Sequence, residues 1–140
     1  MISFDVNQAL VPAAHRLSRA RLAKLASAFN KHVSDQAGQV NLNFISDAEI
    51  RRLNRMYRGK DKVTDVLSFG AGDREVSGQL GDVLISYPQA VRQAEDGDIE
   101  LELADLLVHG ILHLMGHDHE KAEDADRMFP LQDAIVAEIL

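Results

Sequence analysis

The densest run of chemically capable side chains is HGILHLMGHDH at residues 109–119, which holds four of the six histidines. The chain has no cysteine, so a metal would have to be held by imidazoles and carboxylates. His109 and His113 stand four residues apart. On a helix they share one face and can reach a single metal with bonds of about 2.0–2.1 Å. His117 cannot join them on a continued helix, because eight residues at the helical rise separate it from His109 by about 12 Å. Gly116 can end the helix and fold the chain back, so that His119 approaches the same metal from beyond the helix end. The candidate ligand set is therefore His109, His113 and His119. Three neutral nitrogens with an open fourth position describe a catalytic zinc site rather than a closed structural one, and the implied chemistry is hydrolysis. His117 and Asp118 are either groups that orient or replace a ligand or plain turn residues. His15 and His32 are expected on the surface.

The spacing His-x3-His-x5-His, with Gly116 seven residues after the first histidine, also matches the metzincin protease pattern. In that pattern the residue after the first histidine is the general-base Glu. Here it is Gly110, which carries no side chain to activate water. A substrate whose charge develops on phosphate suits such a site better than a peptide. Residues 51–62, RRLNRMYRGKDK, hold six of the 15 Lys and Arg with one acid, a local charge of +5 against −12 for the rest of the chain. Arginine is the side chain best shaped to grip a phosphoryl group with two hydrogen bonds, and Arg58, at the helix exit, is the candidate clamp. Aromatic rings are too few for an obvious base-stacking platform, so recognition through backbone charge and shape is expected.

The elements that must position these residues follow from periodicity. Ile2, Phe4 and Val6 alternate as a strand, and Pro12 precedes a helix expected from about Ala13 to Val33 with Leu22, Leu25, Ala26 and Phe29 as its apolar stripe. Val40, Leu42 and Phe44 alternate as a second strand. Ser46 with Glu49 forms a capping-box signature for a helix whose buried side is Ile50, Leu53 and Tyr57. Val66–Phe69 and Leu80–Ser86 read as strands, separated by a polar, glycine-rich segment (70–78) expected to be a mobile loop. A short helix is expected over Tyr87–Glu95. The apolar helix of the histidines runs from Ile99 to about Met115, with a last helix from Lys121 to Leu140 in which Pro130 marks a kink or restart. This order gives about four strands and about five helices.

With 140 residues and 46% apolar content, the chain is expected to form one domain over residues 1–140, burying roughly 70% of its unfolded surface. Global disorder and a disulfide scaffold are excluded. The start, MISFDVNQAL, lacks the features of a secretory signal, and no run approaches a membrane span. The expected location is cytoplasmic. A formal charge of −7 argues against a protein that coats nucleic acid through global positive charge.

Taken together, LNFISDAEIRRLNRMYRGKDKVTDVLSF, LGDVLIS and HGILHLMGHDHE resemble the YbeY family of bacterial ribosomal RNA maturation endoribonucleases over about residues 40–120. Two positions depart from the family pattern: Val63 stands where proline is usual before TDVLSF, and Gly70 where proline often follows. The resemblance implies the α+β fold class, a small mixed β-sheet packed with helices, in agreement with the expected order of about four strands and about five helices. It also implies a metal-dependent endoribonuclease, usually credited with one zinc ion, that prefers single strands. It would act in 3′-end maturation of small-subunit ribosomal RNA and in ribosome quality control. Carried over by position, the zinc histidines are His109, His113 and His119, and the functional arginine is Arg58, with His113 also assigned to catalysis. Implied partners are ribosomal RNA and the small ribosomal subunit, with a ribosomal protein or an assembly GTPase as further candidates and no membrane. Asp82, in the family's GD pair, is a candidate partner contact or else a buried strand-end residue. Either a metal-activated water or a ribose 2′-hydroxyl would attack the phosphodiester while Arg58 stabilises the developing charge. The alternatives are a non-catalytic zinc-containing ribosome-assembly factor and a metzincin-like hydrolase of other substrates.

Overall fold

The computed structural model describes residues 1–33, 36–72, 78–116 and 122–140. Four strands, β1 (Ile2–Asn7), β2 (Gly38–Ile45), β3 (Val66–Gly70) and β4 (Gln79–Ser86), form one mixed sheet in the order β1-β2-β4-β3. The β1/β2 and β2/β4 pairs are parallel and β3/β4 is antiparallel, which leaves β3 as an edge strand. Among the described residues five α-helices accompany it: α1 (Arg19–His32), α2 (Asp47–Arg58), α3 (Tyr87–Gln93), α4 (Ile99–Leu114) and α5 (Ala122–Ile139). This is the α+β architecture expected. No helix of the described residues is long and apolar enough to cross a membrane.

Alternation along the strands sets the layers. Val40, Leu42 and Phe44 of β2 and Val83 and Ile85 of β4 are buried on one face, where α4 packs against β3 and β4 and α1 packs against β1. Helix α5 closes that layer by contacting both α1 and α4. Phe29 of α1 meets Phe4 edge-on, with centroids 6.1 Å apart. The opposite face carries Asp5, Asn41, Asp82 and Phe69 side by side in register.

Several expectations are corrected in detail. The helix expected over 13–33 is split: Ala13–His15 is a 3-10 turn, and α1 begins only after Ser18, whose side chain accepts from the Arg21 N–H. The intervening chain is held by side chains. Arg16 donates to the carbonyls of Val11 (2.7 Å) and Ala9 (3.1 Å), and Gln8 Oε1 accepts from the Leu17 N–H. These bonds satisfy backbone groups outside any helix. Helix α3 stops at Gln93, and Glu95 belongs to a separate 3-10 turn. Helix α5 runs through Pro130 without a restart. His15 and His32 are half-buried rather than superficial, His15 Nδ1 lying 2.6 Å from the Tyr87 hydroxyl and His32 Nε2 3.0 Å from Glu138. The expected loop at 70–78 and the start of the last helix at Lys121 lie largely outside the described residues.

Candidate metal centre and cationic groove

Helix α4 starts at Asp98, whose carboxylate accepts from the Leu101 N–H, and ends at Met115 before Gly116, which adopts a φ of +93°. That turn is the stop expected from the glycine. Its last turns are clamped to the sheet at Gly110. A Cβ there would lie 2.6 Å from Val83 Cγ1 and 3.0 Å from Val66 Cγ2, so only glycine lets the helix approach this closely. The Ser68 hydroxyl donates to the Gly110 carbonyl at 2.8 Å. A glutamate at this position would collide with the sheet, which explains structurally why the protease-type base has no counterpart here.

His109 and His113, one turn apart on α4, converge beside that contact and line one groove together with Val66 and Ser68 of β3. Their Nε2 atoms are 3.0 Å apart and their ring centroids 4.5 Å apart. His109 Nδ1 lies 2.9 Å from Oε1 of Gln132 on α5. An amide oxygen only accepts, so His109 donates from Nδ1 and keeps its Nε2 lone pair aimed at His113. Gln132 in turn donates to Asp105, one turn before His109, whose carboxyl is pushed above the ordinary carboxylate value by burial, partly offset by that hydrogen bond. The Gln132–Asp105 support is absent from the sequence reading. Its signal is invisible in a linear motif, because Gln132 lies 23 residues beyond His109.

The facing wall comes from α2. Ser46 caps this helix by accepting from the Glu49 N–H, as expected, although the Glu49 carboxylate engages Arg52 instead of completing the box. Asp47 is gripped by both terminal nitrogens of Arg92 (2.8 and 2.9 Å) and by the Ser86 hydroxyl (2.8 Å). Those donors hold its carboxyl below the usual range, the Arg92 hydrogen bonds most strongly. The inward face is Ile50 and Asn54 rather than Tyr57, which is 64% exposed. Asn54 donates to the Lys62 carbonyl at 3.0 Å, tying the 59–62 turn to the helix. Gly59, with φ +69°, caps α2 and redirects the chain.

Arg58 then reaches the edge strand, where Nη2 donates to the Ser68 carbonyl at 3.2 Å and the guanidinium carbon sits 5.9 Å from the centre of the Phe69 ring. Ser68 therefore ties both walls together, its hydroxyl to α4 and its carbonyl to Arg58. Between the walls lies a groove of about 700 Å³ whose lining includes Arg58, Lys60, Lys62, Ser68, His109 and His113. The basic segment is only partly available. Arg51 is paired with Asp61 and Arg52 with Glu49, whereas Arg58, Lys60 and Lys62 line the groove.

The structure thus brings together Arg58, His109 and His113. His119, with His117 and Asp118, lies outside the described residues. Among the described residues no set of three metal-type side chains is gathered. Asp82 is half-buried on the sheet face turned away from α4 and takes no part in the groove.

Fold and site define an α+β protein whose histidine-bearing helix ends over a cationic groove along an edge strand. A family model described as Endoribonuclease YbeY matches residues 5–140, and the chain belongs to that family. Relatives named Endoribonuclease YbeY include one from Myxococcus xanthus, 49% identical over 106 residues, covering 71% of this chain and 36% of that longer protein. One from Persephonella marina is 43% identical over 115 residues (78% and 75% of the two chains), and one from Limosilactobacillus fermentum 40% over 141 residues (91% and 88%). The solution structure of TM1509 from Thermotoga maritima superposes with a TM-score of 0.59 at 28% identity, covering 99% of this chain and 89% of that one.

Proposed function

We propose that this protein is a zinc-dependent endoribonuclease that cleaves single-stranded RNA in 3′-end maturation of small-subunit ribosomal RNA, acting in the cytoplasm on the small ribosomal subunit. The reading rests on one observation above all: two converging imidazoles open onto a groove that also carries Arg58, Lys60 and Lys62. Family membership supports the same activity.

His109, His113 and His119 would hold the metal. Two nitrogen ligands of one tetrahedral zinc stand about 3.3 Å apart, and the Nε2 separation of 3.0 Å fits that spacing. A zinc ion held there would supply Lewis acidity toward a phosphoryl oxygen and lower the pKa of a coordinated water. The remaining work belongs to the chain. Gln132 fixes the His109 tautomer, so that one lone pair is permanently presented to the groove. Arg58 spends one N–H on Ser68 and keeps the rest of its fork for a phosphate, where it opposes the negative charge that grows as the diester reacts. Lys60 and Lys62 draw the backbone in through charge alone, without reading sequence.

Gly110 offers no carboxylate at the position that follows His109, so the nucleophile's proton goes to an acceptor other than that residue. Product ends identify the nucleophile: a 2′,3′-cyclic phosphate marks the ribose hydroxyl, and a 3′-hydroxyl with a 5′-phosphate marks water. The cellular role is tested by mapping small-subunit ribosomal RNA 3′ ends in a bacterium lacking this protein. Wild type is expected to restore mature ends and His113→Ala to leave them unprocessed. Equal rescue by a folded His113→Ala protein would remove the catalytic reading.

A further inference from the structure

We propose that Tyr57 and Phe69 form a shelf that stacks one nucleobase of the RNA strand lying in the groove. The inference rests on the RNA-cleaving reading above and adds to it a base-binding subsite on the far side of strand β3.

Three observations converge. Tyr57 is a large ring left 64% exposed, on a helix whose inward positions are taken by Ile50 and Asn54. It meets Phe69 edge-on, with centroids 5.3 Å apart and planes at 62°. The same Phe69 ring lies under the Arg58 guanidinium. Consecutive residues of a helix point about 100° apart, and of the two Arg58 lines the groove while Tyr57 does not. Consecutive residues of a strand point to opposite faces. Ser68 therefore looks toward α4 and Phe69 toward the other side of β3.

The phosphate clamp and the ring pair consequently meet at one edge strand and share one ring: the Arg58 guanidinium carbon lies 5.9 Å and the Tyr57 ring centroid 5.3 Å from the Phe69 centroid, close enough to engage one RNA strand together. Since β3 ends the sheet of the described residues, no described strand lies beyond it where a polymer would cross that edge. Phe69 holds Tyr57 in place, which lowers the rotamer entropy lost when a base stacks on it. Stacking accepts any base, in keeping with a groove that grips phosphates by charge.

The test is fluorescence anisotropy with a short, labelled single-stranded oligoribonucleotide and a series of its variants carrying one abasic site each. Tyr57→Ala is expected to bind the intact oligonucleotide about 10-fold more weakly, and Tyr57→Phe, which keeps the ring, to rescue it. One abasic position should weaken wild type by a similar factor and leave Tyr57→Ala unaffected. The proposal is overturned if Tyr57→Ala binds like wild type, or if every abasic variant weakens both proteins equally. Should Arg58→Ala lose affinity while Tyr57→Ala does not, the groove survives and the shelf fails. Failure of wild type to bind any single-stranded RNA would sink both. Unchanged RNA affinity with lost association to ribosomal particles would assign the ring pair to a protein partner instead.

Discussion

Gln132 decides which nitrogen of His109 faces the groove. Its oxygen accepts a hydrogen bond from Nδ1–H, and its amide nitrogen donates to Asp105, so the amide cannot turn over without losing both bonds. Partners of this kind typically change metal affinity 10- to 100-fold when removed. Gln132→Leu is therefore expected to weaken zinc binding about 10-fold in a chelator competition while leaving the fold intact, and Gln132→Glu, which keeps an acceptor, to retain most of it. Unchanged affinity in Gln132→Leu would show that His109 needs no support from α5. At this scale the sequence was legible where chemistry repeats locally. His109 and His113 follow from helical spacing and Arg58 from charge and position, whereas Gln132 and Ser68 reach the site only through tertiary contact. Tyr57 was read as buried because it continues the stripe of Ile50 and Leu53. The inward place went to Asn54, whose amide pins the Lys62 carbonyl, an exchange that apolar periodicity cannot register.

Helix α4 is the element on which the site depends, and its closeness to the sheet is set at Gly110. Adding a methyl there gains up to about 1 kcal/mol of helix propensity but forces a contact of 2.6 Å on Val83 Cγ1, and overpacking of this kind costs about 1–3 kcal/mol. Gly110→Ala should therefore lower the melting temperature, and adding Val83→Ala should cost less than the two single changes summed. An unshifted melting temperature in Gly110→Ala would show that α4 can move off the sheet. The same helix carries Glu102, whose carboxyl is pushed up by burial, opposed by the hydrogen bond from Gln93 and reinforced by neighbouring Asp105, Asp65 and Glu95. A carboxyl with a raised native value is more readily protonated folded than unfolded. Its contribution to stability is thus full below the ordinary Glu value and lost as pH rises through the native one. Glu102→Gln should gain stability over wild type at about pH 7.5 and lose that advantage near about pH 4. A gap that does not change with pH would contradict the assignment. Helix boundaries were less legible than helix identities. The break before α1 is made by Arg16 reaching back to the carbonyls of Val11 and Ala9 and by Gln8 reaching forward to the Leu17 N–H, and no local signal encodes that reach.

On the scale of the whole molecule, an acidic chain of net charge −7 gathers Arg58, Lys60 and Lys62 along one groove. The strand order β1-β2-β4-β3 makes this possible, because it places β3 at the edge with α2 on one side and the end of α4 on the other. Sequence periodicity locates the four strands of the described residues, and the family resemblance supplies the mixed α+β class. The order of the strands, and hence the meeting of residues near 58, 68 and 110, comes from long-range pairing that no window of sequence contains. The most direct measurement is the single-turnover rate of single-stranded RNA cleavage by purified protein with zinc, comparing wild type with His113→Ala of matched folded content. A loss of about 100-fold or more is expected, since one of the two converging imidazoles proposed to hold the metal is gone. Equal rates would contradict the account, because the histidine pair would then not be where RNA is cut.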